Sequence, residues 1–162
     1  MTDRSVTHAT FSIERVYDAP VARVWAAWAD AEAKSRWFAG VGETAGASSL
    51  QLDFRVGGGE SSSFTPEDGA PVYTYEAVFH DIVPNERIVL TNRMHADRDR
   101  IAVNLVSVKF APAGADRTRL TVTDHGAYLD GFDRPEWREA GTKEQLDRLA
   151  GELTERQVTG RR

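Results

Sequence analysis

The chain has 162 residues, 20 of them Lys or Arg and 25 Asp or Glu, so its formal charge is −5. It has no cysteine, which excludes disulfide scaffolds, thiolate metal sites and cysteine nucleophiles. A net-acidic chain without a basic run is a poor partner for nucleic acid. No apolar run approaches the roughly 20 residues of a membrane helix.

The N-terminal decapeptide MTDRSVTHAT has no apolar signal core, so a cytoplasmic protein is expected. The length suits one domain over residues 1–162, with its core in 10–155. The first strand is predicted at Thr10–Tyr17, where Phe11 and Ile13 alternate with Ser12 and Glu14. Asp18 reads as a cap and Pro20 as the first turn of a helix over Pro20–Ala31. Val21, Val24, Trp25 and Trp28 recur there at helical spacing and predict a buried stripe. A second short helix, Ala31–Phe38, ends near Gly40, and the Gly/Ser-rich stretch Gly40–Ser49 reads as a loop.

A series of strands follows: Ser49–Val56, which alternates apolar and polar residues, a weak partner Glu60–Phe64, then Val72–Val83, Arg87–Met94, Arg100–Ala111 and Arg117–His125. Gly57-Gly58-Gly59 and Pro84-Asn85-Glu86 are turn signals between them. The last element is a long helix from Arg134 to about Glu155. Asp133 and Glu136 read as its N-cap and the position-three partner, and Leu146, Leu149, Ala150 and Leu153 form its apolar stripe. Thr159–Arg162 reads as a frayed tail. Strands that run together, with helices set apart from them, point to an α+β fold. Its antiparallel sheet of about seven strands would curl around the one long helix.

The segments Phe11–Pro20, Val24-Trp25-Ala-Ala-Trp28, Arg36-Trp37-Phe38, the Gly57-Gly58-Gly59 turn, Asp81–Ile88, Thr118–Val122 and Leu146–Leu153 carry a resemblance in their order and spacing. Together they resemble homologues of the heat-shock-protein-90 ATPase activator C-terminal domain, a family of the START-like (SRPBCC) superfamily. The resemblance covers residues 10–155. It implies a helix-grip fold in which the seven-stranded sheet holds the C-terminal helix with a cavity between them. It implies no single activity, because this fold serves ligand carriers, polyketide cyclases and a co-chaperone domain alike. Many relatives carry Gly-Trp where this chain has Gly141-Thr142, so the resemblance implies a roomier, more polar cavity here.

Face alternation then places candidate residues. If Leu120 and Val122 point inward, Asp124 follows, and Val106, Val108 and Phe110 carry Asn104 with them. Thr142 and Glu139 share the helical face of Leu146, so Asn104, Asp124, Glu139 and Thr142 are expected at one end of the cavity. The plainer alternative has Asp124 capping a turn and Glu139 in solvent. Trp37, Phe54 and Tyr75 are candidate walls, with core packing as their alternative role. His80 is the histidine that could face the cavity as an acid or base, or else simply be exposed. The histidine spacing suggests no metal site, and there is no nucleophile elbow or phosphate loop.

No cofactor and no catalytic residue are therefore assigned. The expected role is to bind a small apolar or aromatic molecule in the cavity. The alternatives are a protein-interaction module and a cyclase or dehydratase using the same cavity. An edge strand or the exposed side of the first helix could also support a two-fold homodimer.

Overall fold

The computed structural model describes residues 4–38 and 50–159, with side chains through Thr154. Residues 40–49 and 160–162, predicted as loop and tail, lie outside the described residues. The elements are β1 (Val6–Tyr17), α1 (Val21–Ala29), α2 (Ala31–Trp37), β2 (Gln51–Leu52), β3 (Gly59–Phe64), β4 (Tyr73–Val83), β5 (Arg87–Ala96), β6 (Asp99–Pro112), β7 (Thr118–Leu129) and α3 (Pro135–Thr159). The strands form one seven-stranded sheet in the order β1-β7-β6-β5-β4-β3-β2. Every neighbouring pair is antiparallel. This is the α+β helix-grip fold. Among the described residues no helix is long and apolar enough to cross a membrane.

One face of the sheet is the core face. Phe11, Ile13, Tyr75, Ala77, Phe79, Ile88, Leu90, Val106, Val108, Phe110, Leu120 and Val122 are buried there. The period of two decides this, since each strand has one apolar side to hide. Leu146, Leu149 and Leu153 of α3 pack onto that face, as do Val24 and Trp28 of α1. The Tyr17 hydroxyl donates to the Leu146 carbonyl at 2.9 Å, and an Arg23 guanidinium donates to the Leu153 carbonyl. Those bonds tie α3 to the β1–α1 corner.

Several boundaries differ from the sequence expectation. β1 starts at Val6 rather than Thr10, because Asp130 holds the chain end: its carboxylate accepts from the Ser5 N–H and the Arg4 guanidinium, both at 2.8 Å. The Ser5 N–H bond and the Arg4 pair lower its pKa. Asp18 does not cap α1. It pairs instead with Arg117 at 3.1 Å, and Pro20 is the cap residue without a side-chain bond. Asp30 supplies the cap that matters, accepting from Ala33 N–H at 2.9 Å and starting α2 where α1 ends.

The predicted strand Ser49–Val56 shrinks to Gln51–Leu52. The chain turns at once: Arg55 N–H donates to the Asp53 carbonyl, Gly58 N–H to the Arg55 carbonyl, and the Arg55 guanidinium grips the Asp53 carboxylate. A Cβ on Gly58 would lie 2.2 Å from the Asp53 carbonyl oxygen, so this turn requires glycine. At α3, the Asp133 carboxylate accepts from Arg134 N–H at 2.8 Å, the adjacent residue rather than a position-three partner. Ala150, expected in the apolar stripe, is exposed. The neighbouring Glu152 is buried instead, drawn in by Arg36 of α2 at 2.8 Å.

Candidate functional site

The sheet curls away from α3 along part of its length, leaving a cavity of about 540 Å³. Trp28, Trp37, Phe38, Phe64, Tyr73 and Tyr75 form its aromatic wall. Trp28 and Trp37 meet edge-to-face at 4.7 Å between centroids, as do Phe38 and Tyr75 at 5.3 Å, while Phe64 and Tyr73 stack at 5.4 Å. Leu90, Val106, Val108 and Val122 make the floor, and Gly141, Thr142 and Leu146 of α3 make the roof. A larger hollow of about 980 Å³ lies on the opposite side of the sheet. It is an open trough that includes the exposed Glu76–Arg93 ion pair, so it offers a ligand little enclosure.

One end of the cavity is polar. Asp124, 4% exposed, lines it, and the Asn104 amide donates to Asp124 Oδ1 at 2.6 Å. The same amide reaches the Tyr128 hydroxyl at 3.4 Å. Both side chains pass over Gly126, where a Cβ would come within 2.6 Å of the Asn104 amide and of the Tyr128 ring. Glycine at that position is what lets the Asn104–Asp124 pair form. Arg138, on α3, lines the same end, with Asp133 at 3.6 Å and Met94 Sδ at 3.3 Å. Asn92 also lines this end. Its Oδ1 is buried without a partner among the described residues.

Burial raises the pKa of Asp124, against the donated Asn104 bond and the positive charge of Arg138. Burial likewise raises Tyr75, reinforced by the nearby Glu60, and Tyr128. The Asp124 shift has a defined sign. An acid whose pKa is raised on folding favours the folded state at low pH. That advantage is lost as pH rises from the unfolded value near 4 through the higher folded value. The wild-type protein should therefore carry a destabilising slope across this window. Asp124→Asn, which can still accept from Asn104 through its own Oδ1, should flatten it. Urea midpoints between pH 4 and 8 measure both slopes; parallel curves would remove Asp124 as their source.

The aromatic end holds a buried ion pair. Lys34 of α2 lines the cavity and donates to Glu60 Oε1 of β3 at 2.5 Å, with side-chain exposures of 2% and 0%. The ammonium also lies over the Phe38 ring at 4.5 Å and the Trp28 ring at 5.2 Å.

Of the residues singled out in the sequence, Trp37, Tyr75, Asp124 and Thr142 line the cavity, and Asn104 stands behind Asp124. Asp124 is not a turn cap. The Thr142 hydroxyl donates to the Arg138 carbonyl of its own helix at 2.9 Å. Phe54, His80 and Glu139 lie elsewhere. Phe54 packs between Trp25 and Phe79, at 5.6 and 5.2 Å. His80 is exposed on the opposite face of the sheet, bonded to Thr91 Oγ1 at 2.8 Å, because Tyr75, Ala77 and Phe79 take the inward positions of β4. Glu139 pairs with Lys143 at 2.9 Å on the solvent flank of α3, where a carboxylate keeps its hydration.

Lys34, Glu60, Asn92 and Arg138 were not anticipated. Lys34 stands three and four residues before Trp37 and Phe38, the spacing of one helical face. Glu60 and Ser62 take the inward positions of β3 and are buried. Both patterns were present in the sequence, masked by the usual rule that charges face water. Among the described residues no group of three or more His, Asp or Glu converges as a metal site would need.

Residues 18–155 match the family model for Activator of Hsp90 ATPase homolog 1-like protein. Among solved structures, an uncharacterised protein from Rhizobium leguminosarum is 40% identical with a TM-score of 0.86, over 95% of this chain and 99% of that one. The Mll3558 protein from Rhizobium loti is 43% identical with a TM-score of 0.82, over 91% and 99%. DynU16, from the dynemicin biosynthetic locus, is 20% identical with a TM-score of 0.63, over 90% of this chain and 47% of its own, and shares the fold. No curated protein matches the chain significantly.

Proposed function

Since the chain belongs to the Activator of Hsp90 ATPase homolog 1-like family, whose fold is built to leave space beside its long helix, we propose that it binds a small aromatic or apolar molecule in the cytoplasm. The observation that carries this is the cavity of about 540 Å³ between sheet and α3, lined by seven aromatic side chains, Trp137 among them. A volume of that size falls in the range of small-molecule sites, and its mix of aromatic wall and few polar groups suits one. Trp37 and Tyr75 would contact the guest, Asp124 and Thr142 would border it, and Asn104 would hold Asp124 in place.

The test is a thermal-shift screen of bicyclic and tricyclic aromatics, backed by titration of tryptophan fluorescence, since Trp28 and Trp37 both border the cavity. A ligand at about 100 times its dissociation constant should add roughly 2.7 kcal/mol, or about 5–10 °C for a chain of this size. Thr142→Trp should fill the roof and abolish the shift while the protein stays folded. Binding that survives this substitution would place the ligand outside the cavity.

A second reading has one supporting observation. Asp124 is buried, has a raised pKa and lines the cavity, as a general acid–base group would. Under that reading the cavity folds a reactive carbonyl compound, and Asp124→Asn should abolish turnover while leaving binding in place.

A further inference from the structure

The polar end of the cavity has an excess of acceptors. Asp124 Oδ1 takes the Asn104 amide, and Oδ2 has no hydrogen bond among the described residues, so it can accept from whatever the cavity holds. Asn92, 5% exposed and beside it in the lining, has its Oδ1 buried without a partner among the described residues. A buried acceptor without a donor is costly, so a guest that supplies a donor gains what the empty site forgoes.

Charge points the same way. The carboxylates of Asp124 and Asp133 border this end, and Arg138 is the cation between them. Glu144 adds a further negative charge and Arg148 a positive one, but Arg148 is turned to the Trp37 carbonyl at 3.1 Å. A ligand carboxylate placed here would join two protein carboxylates in a poorly solvated space, whereas a neutral hydroxyl adds no charge.

Resting on the cavity reading above, we propose that the ligand is a neutral hydroxylated aromatic, its ring between Trp37 and Tyr75 and its hydroxyl donated to Asp124. The aromatic walls accept any flat apolar body, so the hydroxyl supplies the selectivity. A site built to receive a donor discriminates strongly against an analogue that lacks one.

The experiment compares naphthalene, 2-naphthol and 2-naphthoate at pH 7 by fluorescence titration and calorimetry. 2-Naphthol should bind at least about tenfold more tightly than naphthalene, as a hydrogen bond to a charged acceptor supplies, and 2-naphthoate should bind weakest. Asp124→Leu should bring 2-naphthol down to the affinity of naphthalene without weakening naphthalene. Asp124→Asn, which keeps the shape and an acceptor, should retain part of the preference and serves as the folded control. Equal affinities for naphthol and naphthalene would overturn the proposal and leave the aromatic cavity standing. Tightest binding of naphthoate would overturn it in favour of an anion at Arg138. If none of the three binds and the thermal-shift screen is blank, the cavity reading falls as well.

Discussion

Lys34→Met should destabilise the protein by about 3–5 kcal/mol, and adding Glu60→Leu should recover most of the loss. The pair spans α2 and β3, with both side chains all but sealed from solvent. Removing the ammonium leaves the Glu60 carboxylate alone in a low-dielectric site, where Oε2 already has no partner among the described residues. An uncompensated buried charge costs that much because the solvation given up on folding is no longer offset. The double variant removes both charges and leaves apolar side chains of similar volume, an exchange that is often neutral. For a chain of 162 residues the single variant should lower the melting temperature by about 6–20 °C. A single variant as stable as wild type would mean that Glu60 finds another cation or water once Lys34 is gone. A double variant as weak as the single would mean that Lys34 acts through its contacts with Phe38 and Trp28, not through its charge.

This pair also marks where the sequence ceased to be legible. The succession of strands along the chain, the long helix and the inward faces of β6 and β7 follow from a period of two and a period near four. Asp124 and Asn104 were placed by parity alone, and their hydrogen bond at 2.6 Å joins residues 20 apart in the chain. Parity also decides His80, but only once the inward side of β4 is known, and Tyr75, Ala77 and Phe79 show it only when folded. Lys34 and Glu60 are each anomalous on the face they occupy. One makes sense only through the other, and no local pattern links residues 34 and 60. Glu139 failed for a different reason. Helical spacing gave its angle about the axis, but not whether a long side chain would turn outward to Lys143. The two-residue β2 had matching alternation, yet the Asp53–Arg55 turn ended it.

Trp37→Ala should cost about 3–5 kcal/mol, with Trp37→Phe recovering roughly half of the loss. Trp37 is 1% exposed, closes α2 and forms part of the cavity wall. Three contributions are lost on truncation. The first is the transfer free energy of the largest side chain, together with the void left behind, which merges with the existing cavity and cannot collapse freely. The second is its edge-to-face contact with Trp28 at 4.7 Å and with Phe38 at 5.7 Å. The third is the bond from Trp37 Nε1 to the Ala27 carbonyl at 3.0 Å. Ala27 lies in the last turn of α1, where carbonyls have no intrahelical donor, so the indole completes the helix end as a cap would. Phe keeps one ring at the contact but loses this bond, worth about 1 kcal/mol, together with the buried atoms of the second ring of the indole. Urea denaturation of the three proteins orders the contributions, because the Phe variant loses the bond and part of the packing and the Ala variant loses the rest. The same pair reports on the guest. If ring stacking holds the ligand, the Phe variant should bind 2-naphthol within a few-fold of wild type. The Ala variant should lose at least about tenfold, the scale of one aromatic contact. Equal stability of the Phe and Ala variants would show that α2 is held by its bonds to α1 and α3, with the wall contributing little.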